Sequence, residues 1–350
     1  MSDPYIPRRQ FIGMLASAAA SLSVVPRVFG GAAAGSTRTP LARAPIPGAA
    51  IASAGAKGLL YPPIDLSYFD TPVTPAPAQI RYGYAAITWG GDDLQAIKDI
   101  SAVGFPGIQL RANVLKDYGA KPQALRDLLA QYKLDFVALS SGAIDMTPGK
   151  EHDQILFHTR NAKFLAESGG RYLQVTDGGR AQGRVPSAQD FQRLGNILTE
   201  IGERVTDIGI RLGYHNHMAT MGQSPEEVDK IMDAADSRYV KLELDIAHYF
   251  QGGGDPARAI KAYEDRLLFL HLKDVERLPP PRNYGFVELG RGLVDVPAVF
   301  AALDQVRFRG WAVVELDAVP EDERKAGRTA KDCAIANKAY LETKVGTKFE

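Results

Sequence analysis

From Arg81 onward, short runs rich in β-branched and aromatic residues alternate eight times with longer segments whose apolar residues recur at helical spacing. The runs are RYGYAAI (81–87), GIQL (107–110), DFVAL (135–139), RYLQV (171–175), RLGYH (211–215), VKLELD (240–245), LLFLHL (267–272) and WAVVEL (311–316). Helical candidates lie between and after them, from DLQAIKDISAV to AKDCAIANKAYLE. Strict alternation of this kind calls for parallel strands, because each helix must carry the chain back to the same end of the sheet. Eight units in about 270 residues fit a closed (β/α)8 TIM barrel, an α/β fold, better than an open doubly wound sheet. No glycine-rich dinucleotide fingerprint follows the first strand, which weakens the open sheet further. Local signals agree with the helix assignments. Ser224-Pro225-Glu226-Glu227 and Asp255-Pro256 read as helix starts, and Gly104, Gly169 and Gly209 as helix ends.

The first 79 residues do not share this pattern. Arg8 and Arg9 precede QFIGMLASAAASLSVV and the small-residue stretch GGAAAG, an arrangement that resembles a twin-arginine signal peptide over residues 1–30. The apolar run is short for a membrane span of ~20 residues, so an N-terminal anchor is the weaker reading. The resemblance implies the twin-arginine export machinery as a partner and a periplasmic or otherwise exported location. A single cysteine, Cys333, suits an oxidising compartment, since it cannot form an internal disulfide. Residues 31–79 are rich in Ala, Pro, Gly and Thr without a sustained period, which is the composition of a linker or a surface-wrapping segment. The barrel is therefore assigned to residues 80–350. Forty-one basic and forty-one acidic residues cancel, so no overall positive field is available to hold a nucleic-acid backbone. A small-molecule partner is expected, and an oligomer is compatible with all of this.

Barrel enzymes work at the C-terminal ends of their strands. In this chain the fifth strand ends at His215, with Asn216 and His217 after it; the sixth ends at Asp245, followed by His248. The seventh ends at His271 with Lys273 and Asp274, and the eighth at Glu315 with Asp317. A barrel brings His215, Asp245, His271 and Glu315 to one rim, although up to a hundred residues separate them in sequence. Such a mixed nitrogen and oxygen set suits one divalent ion, Mn²⁺ by preference, with Zn²⁺ and Co²⁺ as alternatives. The competing reading is a hydrogen-bonded polar plug in the barrel mouth.

The motifs YHNHM, LDIAHY, FLHLKDV and GWAVVELD resemble the strand ends of the xylose isomerase-like barrel superfamily, and the likeness covers roughly residues 80–345. Within it, HLKDV, ELGRGLVDVPAVF and GWAVVELD are closest to the inosose dehydratase and sugar epimerase branches. The resemblance implies a metal held by Glu, Asp, His and Glu, of which Asp245, His271 and Glu315 match three by position. His215 stands where epimerases of this type usually carry a Glu that is both ligand and base. The resemblance therefore implies that His215 holds the metal and that His217 reaches the substrate.

A divalent ion bound to an α-hydroxyketone stabilises the charge left when the adjacent C–H is deprotonated, giving an enediolate. Glu315 is the expected base, and Lys273 or His248 the group that moves a proton to or from oxygen. A solvent-facing charge, or a pairing with Asp274, is the alternative for Lys273. Gln109, Arg111 and Gln174 on earlier strands are candidates for sugar hydroxyls. With one carboxylate base, β-elimination by a dehydratase or keto-glycoside lyase is favoured over reprotonation by an isomerase or epimerase. An apurinic endonuclease would need more metal ligands and a basic face. A non-catalytic exported sugar-binding protein would not need acid, base and metal candidates together.

Overall fold

The computed structural model describes residues 77–350, apart from 179, 181–184, 281, 348 and 350. The expected signal segment and nearly all of the expected linker lie outside the described residues, except that Gln79 already opens the first strand. In chain order the strands are β1 (Gln79–Ala85), β2 (Gly107–Arg111), β3 (Asp135–Ile144), β4 (Tyr172–Asp177), β5 (Arg211–His215), β6 (Val240–Asp245), β7 (Leu267–Leu272), β8 (Asp274–Arg277), β9 (Tyr284–Val287) and β10 (Arg309–Val314). Eight of them, β1 to β7 and β10, form a closed parallel barrel in which β10 lies between β7 and β1. All eight expected strands are present.

β8 and β9 form a separate antiparallel hairpin, with Val275 opposite Phe286, inserted just past the C-terminal end of β7. The helices follow their sequence signals. Ser224 and Glu227 form a reciprocal capping box at Pro225–Ala234, and Asp255 accepts from the N–H groups of Ala257 and Arg258 at Pro256–Ala262. In Ala188–Asp207 the residues Phe191, Leu194, Leu198, Ile201 and Val205 recur at three- and four-residue spacing and are all buried against the barrel. Among the described residues, no helix is long and apolar enough to cross a membrane.

The barrel interior is packed at its N-terminal end and polar at the other. Phe269, Trp311, Val313, Val137 and Ala85 form one apolar cluster inside the ring of strands. Gly107 is required there: a Cβ on it would lie 2.3 Å from the Trp311 ring and 2.6 Å from Val137. Below the indole, the Arg81 guanidinium sits 4.2 Å from the ring centroid and pairs with Asp135, which also meets Arg171 at 3.3 Å. This floor is filled, and the polar side chains converge at the opposite rim.

Candidate active site

Parity along each strand decides which side chains reach the rim. Side chains two apart share a face, and in this barrel Glu243 and Asp245 project inward from β6, as His271 does from β7 and Lys273 just beyond it. The result is a buried cluster: Glu243, Asp245 and His271 are fully shielded, and His215, His248, Lys273 and Glu315 nearly so. Donor atoms of His215, Asp245 and His271, one from each, lie within 4.8 Å of one another. Glu315 joins them through Oε2, 3.2 Å from His271 Nδ1. His215, Asp245, His271 and Glu315 are thus brought together as expected.

His215 Nδ1, His271 Nδ1 and Asp245 Oδ2 are buried and make no hydrogen bond. Leaving such atoms unpaired costs about 1–3 kcal/mol each. Their arrangement fits a cation shared between them, because two imidazole nitrogens and two carboxylates are donors that a divalent metal accepts. The other imidazole nitrogen of His271, Nε2, lies 2.9 Å from Gln109 Oε1 and 2.8 Å from Glu243 Oε1, which places the N–H on that side and leaves Nδ1 as the donor atom. Burial alone would lower the His271 pKa, but Glu243 and Glu315 raise it well above that of an ordinary imidazole, so the site attracts positive charge. Asp245 also holds the backbone beside the cluster, since its Oδ1 accepts from His248 N at 2.8 Å and caps the short helix Ile246–Gln251.

Burial of Lys273 removes the alternative reading of it. It is neither solvent-facing nor paired with Asp274; its ammonium is buried between Glu315 Oε1 at 2.9 Å, Asp317, and Asp245 Oδ2 at 3.8 Å. Burial would lower its pKa, but these carboxylates raise it well above the usual lysine value. In return, His271 and Lys273 hold the Glu315 carboxyl well below the usual range against the effect of burial. Burial and the Glu315 charge push Asp317 up, while Lys273 pulls it down. Burial pushes His248 well below an ordinary imidazole. Its Nδ1 lies 3.2 Å from Gln251 Oε1 and its Nε2 3.4 Å from Lys273 Nζ.

A cavity of about 270 Å³ opens above this cluster. One wall carries His215, His217, Glu315 and Asp317; the other carries Gln109, Ser140, Gln174 and Thr176, with Arg111 at its edge. His217 faces the cavity, its Nδ1–H donating to Met218 O at 2.6 Å and its ring centroid 3.8 Å from that of His248, with the ring planes tilted by 41°. Lys273 and His248 stand behind Glu315 and Asp317 rather than in the cavity wall. Gln109 bonds Gln174 at 3.1 Å as well as His271, so both amides are held in place before any ligand arrives. A larger cavity of about 520 Å³ lies beside Arg180 and Arg193, but those cations already pair with Glu227 and Glu151.

Glu243 is a site residue that strand ends alone do not reveal. The signal is present in the sequence, since Glu243 precedes Asp245 by two and must share its face.

Comparison with known proteins agrees with this geometry. Residues 97–334 match the xylose isomerase-like TIM barrel family. The chain is 26% identical over 297 residues to an inosose dehydratase of Lacticaseibacillus casei, covering 75% of this chain and 96% of that protein. It is likewise 26% identical over 302 residues to the inosose dehydratase of Clostridium perfringens strain 13, covering 76% and 98%. Among solved structures, the IolI protein with a bound zinc atom superposes with a TM-score of 0.65 at 17% identity, over 77% of this chain and 99% of that one. The probable 3-DHS dehydratase AsbF of Bacillus anthracis gives 0.62 at 16% identity, over 75% and 99%. With the closed barrel, the rim cluster and a family match across two thirds of its length, the chain belongs to the xylose isomerase-like TIM barrel family.

Proposed function

We propose that this protein is a divalent-metal-dependent lyase that acts on a keto-sugar or keto-glycoside by β-elimination. One observation carries the choice of elimination: the only carboxylates lining the cavity among the described residues, Glu315 and Asp317, both come from the end of β10. Epimerisation needs a proton taken from one face of a carbon and returned to the other. Across the cavity from Glu315 stand amides and hydroxyls, and Glu243 lies beneath the metal donors, outside the cavity wall. The sequence relatives named inosose dehydratase support the same reaction type. A volume of about 270 Å³ lies just below the usual range of ligand pockets, in keeping with a single sugar ring.

His215, Asp245, His271 and Glu315 are the proposed ligands of one divalent ion, Mn²⁺ by preference, with Zn²⁺ or Co²⁺ able to replace it. A divalent ion held by these residues would supply Lewis-acid stabilisation of the negative charge that develops on the substrate's keto oxygen. Glu315, kept ionised by His271 and Lys273, takes the proton from the carbon next to the ketone. The electron pair of that C–H bond becomes a carbon–carbon double bond while the β-carbon–oxygen bond breaks. The departing oxygen takes a proton from the side of Lys273 and its partner Asp317, and leaves as water or as an alcohol. His248, behind Lys273, relays or restores that proton. Gln109, Gln174, Arg111 and His217 bind the sugar hydroxyls and fix the ring.

The test is turnover of 3-keto-glucose and methyl 3-keto-glucoside in deuterated water. Release of water or methanol with an unsaturated keto-sugar is expected. A deuterated stereoisomer that retains its leaving group would replace this reading with epimerisation. Export through the twin-arginine route is part of the proposal, supported by Arg8 and Arg9 ahead of the apolar run. Changing both to lysine is expected to leave folded enzyme in the cytoplasm; continued export of that variant would point to another route.

A further inference from the structure

The motif ELGRGLVD, residues 288–295, contributes no ligand to the metal cluster. It wraps around Asp274, whose buried carboxylate accepts backbone N–H bonds from Val275 and Val294 on Oδ1 (2.8 and 3.0 Å) and from Gly290 and Gly292 on Oδ2 (both 2.9 Å). Gly292 must be glycine, because a Cβ there would fall 2.2 Å from Asp274 Oδ1. Buried Glu288 then meets Arg291 at 2.9 Å and Arg328 at 2.8 Å, and both arginines also meet Glu323. These bonds fix the β8–β9 hairpin and the segment after β10 as two walls of a second cavity, of about 420 Å³.

This cavity adjoins the metal pocket. Asp317 lines both. Phe286 lines the second cavity while its ring lies 4.1 Å from Lys273 Nζ and 5.2 Å from the His248 ring. Leu278, Phe286, Val287, Val319 and Pro320 give it an apolar strip, beside a border of charged side chains. Arg282 and Arg291 on its border pair with Glu321, Glu288 and Glu323, and the carboxylates of Glu276, Asp317 and Asp322 add to the lining, so the excess of negative charge disfavours an anionic ligand. A flat, uncharged group fits such walls, with Phe286 available for ring stacking.

We propose that this second cavity is a leaving-group subsite, which takes the uncharged aromatic aglycone of a keto-glycoside whose sugar ring occupies the metal pocket. The proposal rests on the elimination reading, and it places the bond that breaks at the junction marked by Asp317. Loss of the proton to Glu315 and departure of the phenolic oxygen leave an unsaturated keto-sugar and a free phenol, with no change in overall oxidation state.

The experiment fills the cavity without touching the metal cluster, using Val319→Trp and, as an independent variant, Leu278→Trp, each checked for an unchanged melting temperature. Turnover of 4-methylumbelliferyl 3-keto-glucoside is expected to lose roughly tenfold in kcat/KM, while that of methyl 3-keto-glucoside stays within about twofold. Free 4-methylumbelliferone, followed by equilibrium dialysis, is expected to bind the wild type and Asp245→Asn alike and to bind both tryptophan variants about fivefold more weakly. Equal loss on both glycosides, or dialysis unaffected by the tryptophans, overturns the subsite while leaving elimination intact. If wild-type enzyme cleaves neither glycoside, the elimination reading fails and the leaving-group role falls with it, even where 4-methylumbelliferone binding responds to Val319→Trp.

Discussion

The two halves of the barrel rim differ in what their strand ends carry. β5, β6, β7 and β10 end in imidazoles, carboxylates and one ammonium, nearly all buried and within ion-pair distance of one another. β2, β3 and β4 present amides, hydroxyls and the Arg111 guanidinium to the same cavity, and Gln109 links the halves through His271 Nε2. One wall can therefore bind a cation and move protons, and the facing wall can only orient. Histidine use follows the same division: four of the six gather in the charged half, while His158 is packed behind β3, bonded to Ser141. The same side chain is a ligand candidate where lone pairs converge and a core residue where they do not.

The largest effect is expected from emptying the charged half of its proposed metal. Asp245→Ala should abolish metal retention and turnover together, read by elemental analysis and product release. It also removes the cap on His248 N, worth about 1 kcal/mol. Asp245→Asn keeps an acceptor for that cap and should lose metal and activity all the same. Full activity in either variant, with metal still bound, would misplace the site.

Next comes Lys273→Met. Removing a buried ammonium leaves Glu315, Asp317 and Asp245 facing one another, which should destabilise the fold by about 3–5 kcal/mol. Turnover should fall by about 10²–10⁴ with metal content unchanged, since the lost function is proton delivery. A variant that loses metal rather than rate would make Lys273 a brace for the ligands and no part of the chemistry.

A smaller change is expected across the cavity. Gln174→Leu removes the acceptor for Gln109 Nε2 and one polar contact to the sugar. KM should rise about tenfold while kcat stays within about threefold, the signature of lost uniform binding. If kcat collapses at constant KM, the facing wall takes part in the reaction, and the division between orienting and reacting halves breaks down.

The fold was legible because eight strands and their helices repeat one local signal, and every capping residue agreed with it. The convergence of the proposed metal donors was legible because strand ends in a closed barrel must share a rim. Glu243 was missed by reading strand ends alone instead of applying two-residue parity, which puts it beneath Asp245. The hairpin was missed for a different reason. Nothing periodic marks DVERLPPPRNYGFV; its shape depends on Asp274 collecting N–H groups from residues up to twenty positions later, a tertiary arrangement with no local signature. For the same reason sequence adjacency left a Lys273–Asp274 pair open as an alternative, although the chain turns the two to different partners.

The packed histidine gives the finest test of the comparison. Burial pushes the His158 pKa from 6.5 down to about 4, so the folded protein resists its protonation while the unfolded chain does not. The contribution to stability is therefore complete above pH 6.5 and lost progressively as pH falls from about 6.5 to 4, reaching on the order of 3 kcal/mol. The direction follows from proton counting: in that window the unfolded state binds one more proton than the native state, so stability falls with pH. His158→Leu should flatten this part of the acid limb. At neutral pH it should cost about 1 kcal/mol, because Ser141 Oγ keeps its bond from Asn161 Nδ2 at 2.9 Å. Urea midpoints of metal-free wild type and variant, compared pairwise at pH 7 and near pH 4.5, isolate His158, since the rim cluster titrates identically in both. Parallel midpoints across that interval would assign the acid sensitivity to the charged half instead, and His158 would no longer mark the difference between a packed imidazole and one placed to hold a metal.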